Sequence, residues 1–175
     1  TPQTAQTAPT DPTGAAAAAS RRLRRATADD VEAVARLRAV MFAAMGVPGA
    51  DDRAWRHAAE GWLRNALAGR EVCVVVAEDR SGAVVSSAMG TVRRECPSPR
   101  SPNGVSGVVS GVSTLPEARG RGHATACVAA VVEWFRAETK ACSVELFATR
   151  EGERMYASLG FRATVWPAMR MKVSR

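Results

Sequence analysis

Two periods of hydrophobic and polar residues alternate along the chain, and each marks a different kind of element. A short run over 23–26 predicts a strand. Thr27 follows as an N-cap, with Asp29 and Asp30 where carboxylates suit the positive end of a helix dipole. Val31, Val34, Leu37, Arg38, Met41 and Phe42 recur at helical spacing up to Met45, and Gly46, Pro48 and Gly49 break the chain. A second helix over about 52–68 carries Trp55, Ala59, Trp62, Leu63 and Leu67 on one stripe and stops at Gly69. Residues 71–78 are almost continuously apolar, which suits a strand buried on both faces. A turn at 79–82 leads into a return strand over 83–94. Three prolines make 96–104 a loop. Another strand spans 105–114, with Gly107 and Gly111 as bulge positions. A helix over about 120–139 follows, with Ala124, Cys127, Val128, Val131, Val132 and Phe135 as its core stripe. The pattern then predicts a strand over 143–149, a short helix over 151–159 stopped by Gly160, and a final strand pair at 161–164 and 169–173. The order β-α-α-β-β-β-α-β-α-β-β makes an α/β fold with a mixed sheet and no internal repeat.

Composition narrows this picture. The chain has 175 residues, 46% of them hydrophobic, enough for one domain with its own core. Residues 1–20 offer almost no large apolar side chains and read as a flexible tail ahead of a domain over 21–175. No apolar run approaches the ~20 residues of a membrane helix, and no leader pattern is seen, so the expectation is a cytoplasmic protein. Four cysteines, Cys73, Cys96, Cys127 and Cys142, lack metal-site spacing, and His57 and His123 are far from them in sequence. No metal is expected. Cys73 and Cys127 read as core residues of a reducing compartment.

Charge brings in the chemistry. The formal net charge is +7, and Lys140 and Lys172 are the only lysines, so the excess is arginine. That implies an anionic partner but does not choose between nucleic acid, a membrane surface and a phosphorylated small molecule. Nucleic acid is disfavoured: aromatics are 5%, Tyr156 is the only tyrosine, and no stacking platform or helix-turn-helix spacing is present. The cluster Arg21, Arg22, Arg24 and Arg25 reads as a solvated edge.

The stretch 112–126 localises an anion site. A strand ends at Thr114, Pro116 cannot continue the ladder, and Gly120 and Gly122 open a helix. The first N–H groups of a helix are unpaired and carry the positive end of its dipole. Glycines let a phosphate approach them closely, and Arg119 and Arg121 add charge, so the pattern reads as a pyrophosphate cradle. It lacks the Gly-Lys-Ser/Thr ending of a Walker loop, and Thr125 stands where GxGxxG needs its third glycine.

Arg119-Gly120-Arg121-Gly122-His123-Ala124 fits the Q/R-x-x-G-x-G/A signature of the GCN5-related N-acetyltransferase (GNAT) family. Residues 151–161, ending Tyr156-Ala157-Ser158-Leu159-Gly160-Phe161, resemble that family's later Y-x-x-L-G-F motif. With the element order, the resemblance spans about 21–175. It implies a single-domain, GNAT-like, mostly antiparallel sheet flanked by helices, whose fourth and fifth strands splay to admit the pantetheine arm of acetyl-CoA. Main-chain groups of Val112 and Thr114 would bond the pantetheine amides, and the backbone near Val112 and Ser113 would hold the thioester carbonyl. The amides of Arg121, Gly122, His123, Ala124 and Thr125 would hold the pyrophosphate. Tyr156 stands where relatives often place the general acid that protonates the leaving thiolate. Many relatives carry an asparagine before this tyrosine. Here Thr149 and Arg150 occupy that region, and Thr149 would supply part of the missing contact to pantetheine.

A carboxylate base is the family's usual means of deprotonating the amine. Glu145, inside an otherwise apolar strand, is the candidate, ahead of Glu78, Glu95 and His57. The acceptor site in such a fold is built by the first two helices and the loop before the fourth strand. Phe42, Met45, Trp55 and Trp62 fall there, and Asp51 and Asp52 could draw a cationic amine. The expected function is N-acetyl transfer from acetyl-CoA to a primary amine of a small molecule, by direct attack in a ternary complex of a monomer or homodimer. The alternatives are acetylation of protein N-termini or lysines, and acyl-CoA binding without transfer.

Overall fold

Val, Ala and Cys at successive positions suit a strand covered on both faces, and the strand over Val72–Glu78 is built that way. The computed structural model describes residues 22–173. The predicted tail over 1–20 lies outside the described residues. Among the described residues, five strands, β1 (Arg22–Arg25), β2 (Val72–Glu78), β3 (Val84–Arg94), β4 (Val105–Thr114) and β5 (Val144–Glu145), form one sheet in the order β1-β2-β3-β4-β5. The first three junctions are antiparallel and the β4–β5 junction is parallel.

Helices cover both faces. On one face, Val31, Val34 and Leu37 of α1 (Val31–Ala44) and Leu63 of α2 (Arg53–Leu67) pack with Val74 and Val76 of β2. On the other, Cys127, Val128, Val131 and Phe135 of α3 (His123–Glu138) pack with Cys73, Val75 and Ala77. The alternation along β2 therefore divides one strand between two cores. Burying each Val or Leu contributes about 1.5–3 kcal/mol. Of the four cysteines, Cys73 and Cys127 are buried, as their apolar settings predict, while Cys96 and Cys142 are exposed, and all four are free thiols. Among the described residues, no helix is long and apolar enough to cross a membrane.

The two predicted bulge glycines have different roles. Ser87 pairs with Ser113 and Met89 with Ser110, so Gly111 and Val112 together oppose Ala88. Gly111 has φ +59°, the conformation that makes such a bulge. Gly107 stays in register with Val92 and makes room for a ring instead. A Cβ there would lie 2.5 Å from Phe135 Cε1.

Three expectations are corrected. The strand over 143–149 shrinks to Val144–Glu145, because β4 pairs with it only through Gly107↔Val144 and Val108↔Glu145. The closing strand pair at 161–164 and 169–173 is not formed. These residues carry no ladder, and Trp166, Met169, Met171 and Val173 are exposed. The arginines of β1 are not merely a solvated edge. Arg24 Nη1 and Nη2 donate to the two carboxylate oxygens of Asp30 at 2.6 and 2.8 Å, and Arg24 Nε donates to Glu78 at 2.6 Å. Arg25 pairs with Glu138 of α3. The helix boundaries also tighten: the third helix begins at His123, and the short one, α4, spans Glu153–Ser158.

Candidate active site

Past Val108, β4 runs on to Thr114 without β5 beside it, so the sheet splits between these strands. The bulge at Gly111 and Val112 falls in this part of β4, on its ladder with β3, and a bulge takes a residue out of the ladder. Val112 is half-buried against the α3 core, and Ser113 is buried. Ser86 Oγ donates to the Ser113 carbonyl at 2.9 Å and bonds the Thr114 hydroxyl at 2.8 Å, which stiffens the strand end.

From Thr114 the chain turns through a short 3-10 segment, Pro116–Ala118, into Arg119. Gly120 has φ +73° and Gly122, the N-cap of α3, has φ +74°. Residues with a Cβ rarely hold that conformation, so this turn requires glycine at both positions. It brings the N-terminus of the 16-residue α3 to the end of β4. Arg121 is exposed, His123 is buried, and Ala124 and Thr125 are half-buried in the first turn. Arg119 Nε donates to the Thr114 carbonyl at 3.2 Å, one of the main-chain groups expected to meet pantetheine. A carbonyl has a second lone pair, so this bond leaves that role open.

The far side of the split carries Tyr156. Gly152 N–H and Glu153 N–H donate to the Thr149 carbonyl at 3.0 and 3.1 Å, and Gly152 N–H also donates to Thr149 Oγ1 at 3.3 Å. Thr149 thus starts α4, and its hydroxyl keeps a hydrogen to donate. The Tyr156 ring meets Phe161 edge-on at 6.1 Å and packs against the α3 core. Burial pushes its phenol above the ordinary value, so it keeps its proton through neutral pH.

The other predicted residues fall as follows. Glu145 is exposed, on the strand face turned away from Val144 and Leu146, which pack on the α3 core. Glu78 is two strands from the split and is tied to Arg24, which gives it a structural role. His57 and Glu95 are exposed. Phe42 and Trp55 meet edge-on at 5.3 Å, and Trp55 Nε1 donates to the Gly49 carbonyl at 2.9 Å. Met45 and Trp62 are about half exposed, at 54% and 49%. Asp52 caps α2, accepting from Ala54 N–H at 2.8 Å.

Sequence reasoning missed one residue at this site. Arg38 sits in the α1 stripe, and its Nη1 lies 3.0 Å from where a Cβ on Gly111 would stand. Its guanidinium is 5.4 Å from the Phe42 ring centroid. The available signal was a charged residue at a position whose neighbours in the stripe are apolar.

Against this geometry the comparisons with known proteins agree. The model of the acetyltransferase (GNAT) family matches residues 33–161, and the chain belongs to that family. A GCN5-related N-acetyltransferase from Ralstonia eutropha JMP134 has 25% identity and a TM-score of 0.75, over 86% of this chain and 98% of that one. A "predicted acetyltransferase with acetyl-CoA" from Clostridium acetobutylicum has 20% identity and a TM-score of 0.75, over 86% and 96%. Glucosamine-6-phosphate N-acetyltransferase from Arabidopsis thaliana has 13% identity and a TM-score of 0.69, over 86% and 97%. No curated protein matches the chain. The expected fold, a single-domain α/β fold with a mixed and mostly antiparallel sheet flanked by helices, stands.

Proposed function

We propose that the chain transfers an acetyl group from acetyl-CoA to a primary amine of a small molecule, by direct attack in a ternary complex. The observation that carries this reading is the glycine-turned N-terminus of α3, set at the end of β4 where β4 and β5 part. The Clostridium acetobutylicum relative, solved with acetyl-CoA, supports the same donor.

In this reading the pyrophosphate lies on the first amides of α3, from Arg121 to Thr125, with Arg119 and Arg121 beside it. Pantetheine runs along the free edge of β4, bonded by main-chain groups of Val112 and Thr114 and by Thr149. The backbone at Val112 and Ser113 holds the thioester carbonyl as its oxygen gains charge. The amine nitrogen forms a bond to the carbonyl carbon, the C–S bond breaks, and the thiolate takes the Tyr156 proton. Glu145, directly or through water, takes the proton that the amine gives up. Phe42, Met45 and Trp62 flank the acceptor.

The test is a thiol-release assay with acetyl-CoA and a panel of amines and peptides, on wild type and Tyr156→Phe, beside calorimetric binding of acetyl-CoA. Turnover of small amines is expected, with kcat lower by about 100-fold in the variant and donor affinity nearly unchanged. Absence of acetyl-CoA binding overturns the reading. Turnover of peptides alone moves the acceptor to proteins, and binding without any turnover makes the chain an acyl-CoA sensor.

A further inference from the structure

An arginine inside an apolar helical stripe needs a partner. Elsewhere in this chain the half-buried Arg24 has two carboxylates. Arg38 has none: among the described residues no carboxylate pairs with its guanidinium, and no group accepts a hydrogen bond from it. Burial alone depresses its pKa, yet a guanidinium stays charged at neutral pH. It lies over the face of Phe42, with Nη1 3.0 Å from where a Cβ on Gly111 would stand. Held between a ring and a strand, a guanidinium is pre-organised and loses little freedom on meeting a planar or tetrahedral anion.

Its position gives the anion a role. Gly111 is part of the bulge, three residues past the last β4–β5 pair and next to Val112. Arg38 reaches it from the α1 face of the sheet. The glycine-turned end of α3 belongs to the opposite face. A donor lying on α3 and a second molecule coming from the α1 side would meet at the split, and the second molecule would meet Arg38 as it arrived.

We propose that Arg38 binds an anionic group, a carboxylate or a phosphate, carried by the acceptor amine a few atoms from its nitrogen. This rests on the acetyl-transfer reading and names its acceptor class: amino-acid-like or phosphorylated amines rather than simple or polycationic ones. Among the described residues, Asp51 and Asp52 lie on the α1–α2 connection, neither forms an ion pair with Arg38, and Asp52 is already engaged as a cap.

The experiment compares acetylation of matched amines: free amino acids with their carboxamides, and amino-sugar phosphates with the unphosphorylated sugars. It uses wild type, Arg38→Lys and Arg38→Met, and melting temperatures are recorded for all three. Wild type is expected to favour one anionic member over its neutral partner by about tenfold or more in kcat/KM. The two arms distinguish carboxylate from phosphate. Arg38→Met is expected to abolish that preference through a raised acceptor KM, with donor affinity retained, and Arg38→Lys to keep part of it. Its melting temperature is expected to hold or rise, because it removes a desolvated, unpaired charge; a merely structural arginine would lower it. Equal or better turnover of neutral or polycationic amines by wild type overturns the inference and leaves acetyl transfer standing. So does a preference that survives in Arg38→Met. Failure to bind acetyl-CoA overturns both readings.

Discussion

Arg24 shows how a side chain can look like surface in the sequence and behave as core. It stands among four arginines near the start of the domain, and that local charge hides its partners. Asp30 is six residues away and Glu78 fifty-four. Asp30 is 6% exposed and also accepts from Thr27 N–H at 2.7 Å. The hydrogen bonds from Arg24 hold its carboxyl below the usual range, against the opposing effect of burial. A depressed carboxylate stabilises the fold fully above its unfolded pKa, about 3.9, and the contribution is lost as pH falls through the lower folded value. Asp30→Ala is therefore expected to cost about 3 kcal/mol at neutral pH and to flatten the acid limb of a melting-temperature profile. An unchanged profile would show that the pair contributes nothing. Tyr156 runs the opposite way. Its raised phenol pKa keeps the proton in place through neutral pH, so the alkaline limb of kcat should lie above about 10, the ordinary tyrosine value. A limb well below that value would remove Tyr156 from the acid role.

At the scale of elements, periodicity identifies what a segment can be, and pairing decides what it becomes. The helical stripes of α1 and α3 were legible because each faces a core that the same residues help to build, whereas α2 buries only Leu63 of its predicted stripe and leaves Trp62 half exposed. The alternation over 143–149 was read as a full strand, but only Val144 and Glu145 find partners on β4. Leu146 still packs on the core without a ladder. Met169, Met171 and Val173 alternate as a strand would, yet among the described residues no neighbouring strand pairs with them. The glycine turn into α3 was legible because glycine, arginine and a helix stripe are adjacent in sequence. Arg38 was not, because its meaning depends on Gly111, seventy-three residues away. Gly107 and Gly90 let α3 pack close to the sheet: the missing Cβ at Gly107 leaves space for the buried Phe135 ring, and that at Gly90 for Val131. Gly107→Ala should cost about 2 kcal/mol by overpacking, measured by denaturant unfolding, and Phe135→Leu should recover part of it. If Gly107→Ala melts like wild type, the ring is free to move and this account of the spacing fails.

Over the whole molecule, the proposed reaction asks one sheet to meet two different ligands, with its two faces dividing the work. The α3 face and the end of β4 offer amides and arginines to an anion, while the α1 face brings Arg38 and the aromatic pair Phe42 and Trp55. On that reading the +7 charge has two local uses, and composition alone could show only the sum. The same two-sided packing sorts the thiols. Cys73 and Cys127 are sealed within the α3 core, and Cys96 and Cys142 are outside it. A disulfide reagent added to the native chain is expected to titrate two sulfhydryls at once and the other two only at the rate of unfolding. Four rapid equivalents would mean that the core opens readily. The split between these pairs reaches into the enzymology. An assay that follows released coenzyme A through its thiol will register Cys96 and Cys142 first, as a burst proportional to protein and indifferent to amine. The slow pair then serves as an internal clock for whether the catalyst is still folded when the turnover signal is read.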